Sequence, residues 1–486
     1  MKTKYVDLID QTFDFPQEEF TLKNNELSFH GIDLKALIET YGAPLKFTYL
    51  PKISDNINRA KCWFADAIAK HNYNGNYNYC YCTKSSHFKH VLDEALKNNI
   101  HIETSSAFDI DIVENLKAQG KITNDTFVIS NGFKRDRYIK NIARLINNGH
   151  KNCIVVIDNY EEISLLDKEI DDTYDIGIRI ASEEEPKFEF YTSRLGIGYK
   201  NIVPFYNAEI KDNPKVTLKM LHFFINTGIR DTAYYWNELL KCMKVYVNLK
   251  KECPTLDSLN IGGGFPIKNS LAFDYDYAYM VDEIINQIKQ TCDEAGVEVP
   301  NIFTEFGSFT VGEAGGAIYE VLYQKKQNDR EKWNMINSSF ITTMPDTWAI
   351  NKRFVMLPIT GWDKEYERVL LGGLTCDSDD YYNSEQHMNA IYLPKYSQEK
   401  PLYIGFFNTG AYQETIGGFG GLQHCLIPTP KHILIDRSDA GEIVTSVFAE
   451  QQTSEQLLSI LGYDFGINHE LEATTREAKM TSTTNL

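Results

Sequence analysis

The sequence predicts an α/β chain built as a (β/α)8 TIM barrel with a second, β-rich domain. Three observations carry this. From residue 76 onward, short apolar runs alternate with longer stretches of helical periodicity, and the unit recurs eight times. After about residue 310 helical periodicity fades, and short apolar runs are separated by Gly, Pro, Asn and Asp. The chain has 486 residues, enough for two or three domains with a large core.

The candidate barrel strands are NYNYCYC (76–82), IHIET (100–104), TFVIS (126–130), CIVVID (153–158), DIGIRI (175–180), KMLHFFI (219–225), SLNIG (258–262) and NIFTEF (301–306). Helical segments such as HFKHVLDEALKNN and VDEIINQIKQTCDEAG lie between them. The expected organisation is an N-terminal segment, 1–50, that lends a strand to the β-rich domain. The barrel follows over 51–310, then the β-rich barrel or sandwich over 311–465, then a polar, disordered tail over 466–486.

The net charge of −18 argues against a nucleic-acid partner, because phosphate binding needs clustered Lys and Arg. No run of about 18 apolar residues predicts a membrane helix, and the N-terminus lacks the apolar core of a signal peptide. The nine dispersed cysteines read as reduced thiols, so the expected location is the cytoplasm. Cys80 and Cys82 lack a second ligand pair nearby, and no metal is expected.

In such a barrel, chemistry gathers at the C-terminal ends of the strands. The first strand ends at Lys84, the second at Glu103 and the third at Asn131. The sixth ends in FFINTG, with Phe224 and Thr227, the seventh runs into Gly262, Gly263 and Gly264, and the eighth ends at Glu305. Any of these could be ordinary: a snorkelling lysine, a rim salt bridge, a flexible turn. Together they put an amine, two carboxylates and an anion-wrapping glycine run on one rim. Pyridoxal phosphate takes a lysine to hold it, an acidic or basic partner at its ring nitrogen and a phosphate cradle, and this rim offers all three.

The same residues carry a resemblance to the pyridoxal-phosphate-dependent amino-acid decarboxylases of the alanine-racemase fold. YCTKSSHFKHVL resembles their cofactor-lysine segment, SRLGI (193–197) their SKFGI, LHFFINTGIRD their LHFHIGSQIRD and LNIGGGFPI their glycine motif. LTCDSDD resembles their Cys-acid motif and GAYQE (410–414) their tyrosine motif. Within the family, SNGFKRDRYI and MPDTWAINKRFVMLPI resemble the biosynthetic arginine decarboxylases.

The resemblance implies pyridoxal 5'-phosphate as cofactor and decarboxylation of a basic amino acid, foremost L-arginine to agmatine and CO2 in polyamine biosynthesis. It also implies a homodimer with shared active sites. Position by position, Lys84 becomes the cofactor lysine, Glu305 the partner of the ring nitrogen, and Cys376 the group returning a proton to the decarboxylated carbon. Glu103, Phe224, Thr227, Gly262, Gly263, Gly264, Ser308 and Tyr412 become cofactor contacts, and Asp377, with Asp346 as second candidate, meets the substrate's distal cation.

Two residues depart from the pattern. Phe224 stands where the family has a His on the cofactor ring, and Ser308, in EFGSF, stands where the family's EPGRY has a phosphate-gripping Arg. Ornithine, lysine and diaminopimelate decarboxylases, a racemase, and a non-catalytic pyridoxal-phosphate-binding paralogue remain the alternatives. The racemase would need a second base on the substrate's other face. The paralogue would be expected to lose the lysine.

Overall fold

The computed structural model describes residues 18–182, 194–382 and 391–463; the expected tail, 466–486, lies outside the described residues. The eight expected strands are all present: β1 (Tyr77–Cys82), β2 (His101–Thr104), β3 (Val128–Ser130), β4 (Cys153–Ile157), β5 (Tyr174–Ala181), β6 (Val216–Phe223), β7 (Ser258–Asn260) and β8 (Asn301–Phe306). They pair in parallel in that order, β8 returns to β1, and the barrel is closed. A two-residue strand, Ile197–Gly198, adds to β5.

Parallel strands covered on both faces read as near-continuous apolar runs, and CIVVI of β4 is buried at all five positions. The barrel interior is filled by Cys80, Ile129, Ile154, Val156, Met220 and Phe303. The larger cluster lies between strands and helices. The helix that covers the β8 side comes from before β1: Pro51–Lys70 packs beside Tyr277–Ala295, with Trp63 stacked on Tyr277 at 4.7 Å. The chain can therefore leave β8 and enter the second domain directly.

In that domain the strand Leu45–Tyr49 is central. It runs antiparallel to Gly315–Lys326 and parallel to Lys431–Arg437, and all five of its residues are buried. Gly315–Lys326 also pairs with Lys332–Ile336 and Leu402–Phe407. The domain's loop 408–412 is pressed onto the barrel. A Cβ at Gly410 would lie 2.1 Å from the carbonyl of Val311, so only glycine allows this approach. The amide of Gly410 donates to Gly312 O at 2.9 Å, and that of Tyr412 donates to Ser85 O at 2.8 Å. Tyr412, in the left-handed region at φ 69°, is thereby delivered to the barrel mouth beside Lys84.

Candidate active site

A cavity of about 610 Å³ opens at the C-terminal end of the barrel. Lys84, Glu103, Phe224, Gly263, Gly264, Glu305, Ser308 and Tyr412 all line it. Lys84 sits in the single turn Thr83–Ser85 after β1, which Ser85 Oγ closes by donating to Cys82 O at 2.8 Å. Its side chain is 42% accessible because it stands free in the cavity, and its Nζ donates to Glu103 Oε2 at 2.8 Å. Glu103 is fully buried, and its Oε1 has no hydrogen-bond partner among the described residues.

Glu305 faces this pair from β8. Asn260 Nδ2 donates to its Oε1 at 2.8 Å, Asn131 Nδ2 approaches both oxygens at 3.3 and 3.4 Å, and His222 Nε2 lies 3.3 Å from Oε2. The imidazole is close enough for charge attraction but misaligned for a hydrogen bond. Burial alone would raise the Glu305 carboxyl; His222, Lys84 and Arg179 more than reverse this and hold it at about 2. Glu305 is therefore an anion at neutral pH.

Burial would push the Lys84 ammonium down, and Cys82, Glu103 and Glu305 instead hold it well above its ordinary range. The Cys82 thiol is itself driven up by burial. It is thus neutral, so the two carboxyl groups are what keep the proton on Lys84. Burial raises Glu103 in turn, against the attraction of Lys84. Ligand atoms of Cys82, Glu103 and Glu305 lie within 4.8 Å of one another. The cation already in that field is the Lys84 ammonium.

Five residues that sequence reasoning missed shape the site. Arg179 and Arg194 line the cavity, and the Arg179 guanidinium lies 6.0 Å from the Phe224 ring centre. Arg179, His222 and Asn260 are register neighbours on β5, β6 and β7, one polar layer at the cavity floor. Lys134, fully buried, donates to Gly132 O at 2.7 Å and pairs with the equally buried Glu162 at 3.3 Å, fixing the loop after β3. Their signal was a polar residue inside an apolar strand or, for Lys134, within SNGFK.

Two expected contacts fall beside the cavity rather than on it. Gly262 spends its amide on Asn260 Oδ1 at 2.9 Å, and Thr227 lies in the turn closed by Gly228 N to Ile225 O, so its neighbour Asn226 lines the wall. Three others lie away from the cavity of their own chain. Asp346 is buried against Gln413 Nε2 at 2.8 Å and Lys352 Nζ at 3.2 Å. Cys376 is exposed, 3.9 Å from Cys425 Sγ, and Asp377 lies 3.5 Å from His424.

The cavity fits pyridoxal phosphate. It offers one amine, a carboxylate held ionised for a protonated ring nitrogen, an aromatic face at Phe224 and an orphaned polar oxygen on Glu103. At the phosphate end, Gly264, at φ +105°, lets the backbone lie where a Cβ would meet Gly228 Cα at 2.7 Å. Ser308 and Tyr412 line the cavity there.

A lysine and an ionised glutamate facing one another at a barrel mouth suit a pyridoxal-phosphate enzyme. The pyridoxal binding domain of the pyridoxal-dependent decarboxylases matches residues 57–312, just over half the chain. The chain belongs to this family; its cofactor is pyridoxal 5'-phosphate and its reaction a decarboxylation.

The biosynthetic arginine decarboxylase of Prochlorococcus marinus is 22% identical over 546 aligned positions, covering 86% of this chain and 82% of that protein. The solved biosynthetic arginine decarboxylase of Campylobacter jejuni superimposes with a TM-score of 0.78 at 19% identity, covering 97% and 96% of the two chains. The diaminopimelate decarboxylase of M. jannaschii superimposes with a TM-score of 0.77 at 18% identity, covering 93% and 99%. These likenesses show a shared alanine-racemase-type fold.

Proposed function

We propose that the protein decarboxylates L-arginine to agmatine and CO2. The observation that carries the chemistry is Glu305, kept anionic by His222, Lys84 and Arg179 and hydrogen-bonded by Asn260, directly across from Lys84. When bound, pyridoxal phosphate supplies the sink for the electron pair left by departing CO2. Lys84 would hold the cofactor. Glu305 would pair with the ring nitrogen, Phe224 would cover the ring, and Ser308, Tyr412 and the amides of Gly263 and Gly264 would hold the phosphate. Arginine is supported by the near full-length similarity to biosynthetic arginine decarboxylases.

The remaining two groups come from a second copy. Cys376 and Asp377 lie on an exposed loop of the β-rich domain. A C2 homodimer lays this loop over the partner's cavity, where Cys376 returns the proton and Asp377 takes the guanidinium. Asp346 is the weaker candidate, since Lys352 and Gln413 already hold it. Among the described residues no helix is long and apolar enough to cross a membrane, and the location proposed is the cytoplasm.

The test is CO2 release over arginine, ornithine, lysine and diaminopimelate, beside borohydride trapping and peptide mapping of the cofactor. Arginine should give the highest kcat/KM and the labelled peptide should contain Lys84. A better substrate among the other three overturns arginine and spares the family chemistry. A labelled peptide without Lys84 overturns the site, and no CO2 from any substrate favours the non-catalytic reading.

A further inference from the structure

Six of the nine cysteines are buried, and burial drives thiols such as Cys82, Cys153 and Cys242 toward the inert, protonated form. Three are exposed: Cys62, Cys376 and Cys425. Cys62 faces the Asp66 carboxylate at 3.6 Å, which opposes its ionisation. Cys376 and Cys425 face each other, their sulfurs 3.9 Å apart across 49 residues of chain.

Two held loops build this approach. The loop carrying Cys376 is tied by Asp380, whose Oδ2 accepts from Thr375 N at 3.0 Å and Thr375 Oγ1 at 2.7 Å, and by Gly373 N to Asp380 O at 2.9 Å. The facing turn is closed by Leu426 N to Gln423 O at 3.0 Å and Ile427 N to His424 O at 3.2 Å. It holds Cys425 in the left-handed region at φ 53°, uncommon for a residue with a side chain. A second contact, His424 Nε2 to Asp377 Oδ2 at 3.5 Å, pairs the neighbouring residues of the same two loops. The dipeptides Cys376-Asp377 and His424-Cys425 thus meet residue by residue.

We propose that Cys376 and Cys425 are a modification site: a thiol pair that a hydroperoxide oxidises to an intrachain disulfide. One thiolate attacks the peroxide O–O bond and becomes a sulfenic acid, releasing water once the leaving oxygen takes up protons. The second thiol displaces the sulfenic oxygen as a second water and forms the S–S bond. Two thiols and one hydrogen peroxide give one disulfide and two waters, and a dithiol reductant reverses the change by exchange. A disulfide bond is about 2 Å long, so the sulfurs close the gap by side-chain rotation and small loop shifts. In a reducing compartment the pair rests as thiols and oxidises transiently. The consequence rests on the function proposed above: a disulfide has no S–H proton to return to the decarboxylated carbon, so oxidation stops turnover.

The experiment treats the pyridoxal-phosphate-loaded protein with hydrogen peroxide, maps peptides without reduction and assays decarboxylation before and after dithiothreitol. The expected result is one peptide cross-link between Cys376 and Cys425 within a chain, with near-complete loss of turnover that dithiothreitol restores. Cys425→Ser should match wild type before oxidation, form no cross-link, and lose activity in a way dithiothreitol no longer recovers, because Cys376 proceeds to sulfinic acid. Separate over-oxidation of the two cysteines in wild type, or a cross-link between chains, overturns the proposal. A cross-link with turnover intact upholds the thiol pair and counts instead against the proton-return role of Cys376.

Discussion

The mouth of the barrel and the Cys376–Asp377 loop hold the same kinds of group under opposite conditions. At the barrel mouth, Glu103, His222, Asn260 and Glu305 are each at most 5% exposed and face one another across fixed strands. In the β-rich domain Cys376 and Asp377 stand in solvent on a loop. Groups whose charge must be set before a ligand arrives are buried, because low dielectric is what lets neighbours move a pKa by units. In the proposed dimer, groups that complete a site on another copy would be left outside, because burial in their own chain would keep them from it. A single barrel is thus a cofactor site, and the exposed loop is what a second copy would add.

The largest effect that sharpens this contrast comes from separating the two regions genetically. Lys84→Ala and Cys376→Ala should each be nearly inactive as homodimers. Mixed under subunit exchange, they form heterodimers as about half the population, each with one intact site and one doubly defective site. Activity should return to roughly a quarter of wild type by random pairing under two-fold symmetry. Demonstrated exchange with no recovery places both residues in one chain's site.

A second test asks how far the barrel mouth depends on buried charge. Lys134→Met leaves Glu162 with no counter-charge in a fully buried position, and breaking such a pair costs on the order of 3–5 kcal/mol. Burial already raises the Glu162 carboxyl while Lys134 opposes that rise. Without Lys134 its folded-state pKa climbs further above the unfolded value. The cost is therefore present at pH 7 and shrinks as pH falls through the raised pKa and the group takes up a proton. Denaturant unfolding at pH 7 and pH 5 should show a smaller deficit at pH 5. A deficit equal at both pH values would mean the loss is of packing and not of charge.

The strands were legible because a closed parallel sheet buries both faces of each strand, and CIVVI or YNYCYC announces that directly. Lys84, Glu103 and Glu305 were legible because strand ends in a barrel point to one place. Arg179 and His222 were not, because which face a strand residue takes depends on parity. In β6 the register shifts between Leu218 and Met220. Leu218 packs outward with the helices while Met220 fills the barrel, although they are two residues apart. Counting by two from the start of β6 therefore sends His222 to the wrong side. Lys134 reads as a surface residue in FKRDR, and its burial depends on Glu162, 28 residues later. The separation of Cys376 from its own cavity is what the shared active sites implied by the family resemblance require; strand patterns alone carry no information on how two domains sit together.

The smallest effect tests the one place where the barrel mouth holds its ligand with little charge. Ser308 begins the short helix Ser308–Val311 after β8 and lines the cavity beside Tyr412. A hydroxyl there gives a phosphate a neutral hydrogen bond; an arginine would give a charge-assisted, two-pronged one. Against that gain stands the entropy of ordering a long side chain. Charged hydrogen bonds exceed neutral ones by about 1 kcal/mol net, so Ser308→Arg should tighten pyridoxal phosphate by roughly fivefold at most. Equilibrium dialysis or fluorescence titration of the apo-protein measures it. The gain should fade with added salt, as an exposed charge contact does. A large loss of affinity would show that the space beside Gly307 and Tyr412 is filled, and that the hydroxyl pair with the glycine backbone is the phosphate site this barrel was shaped around.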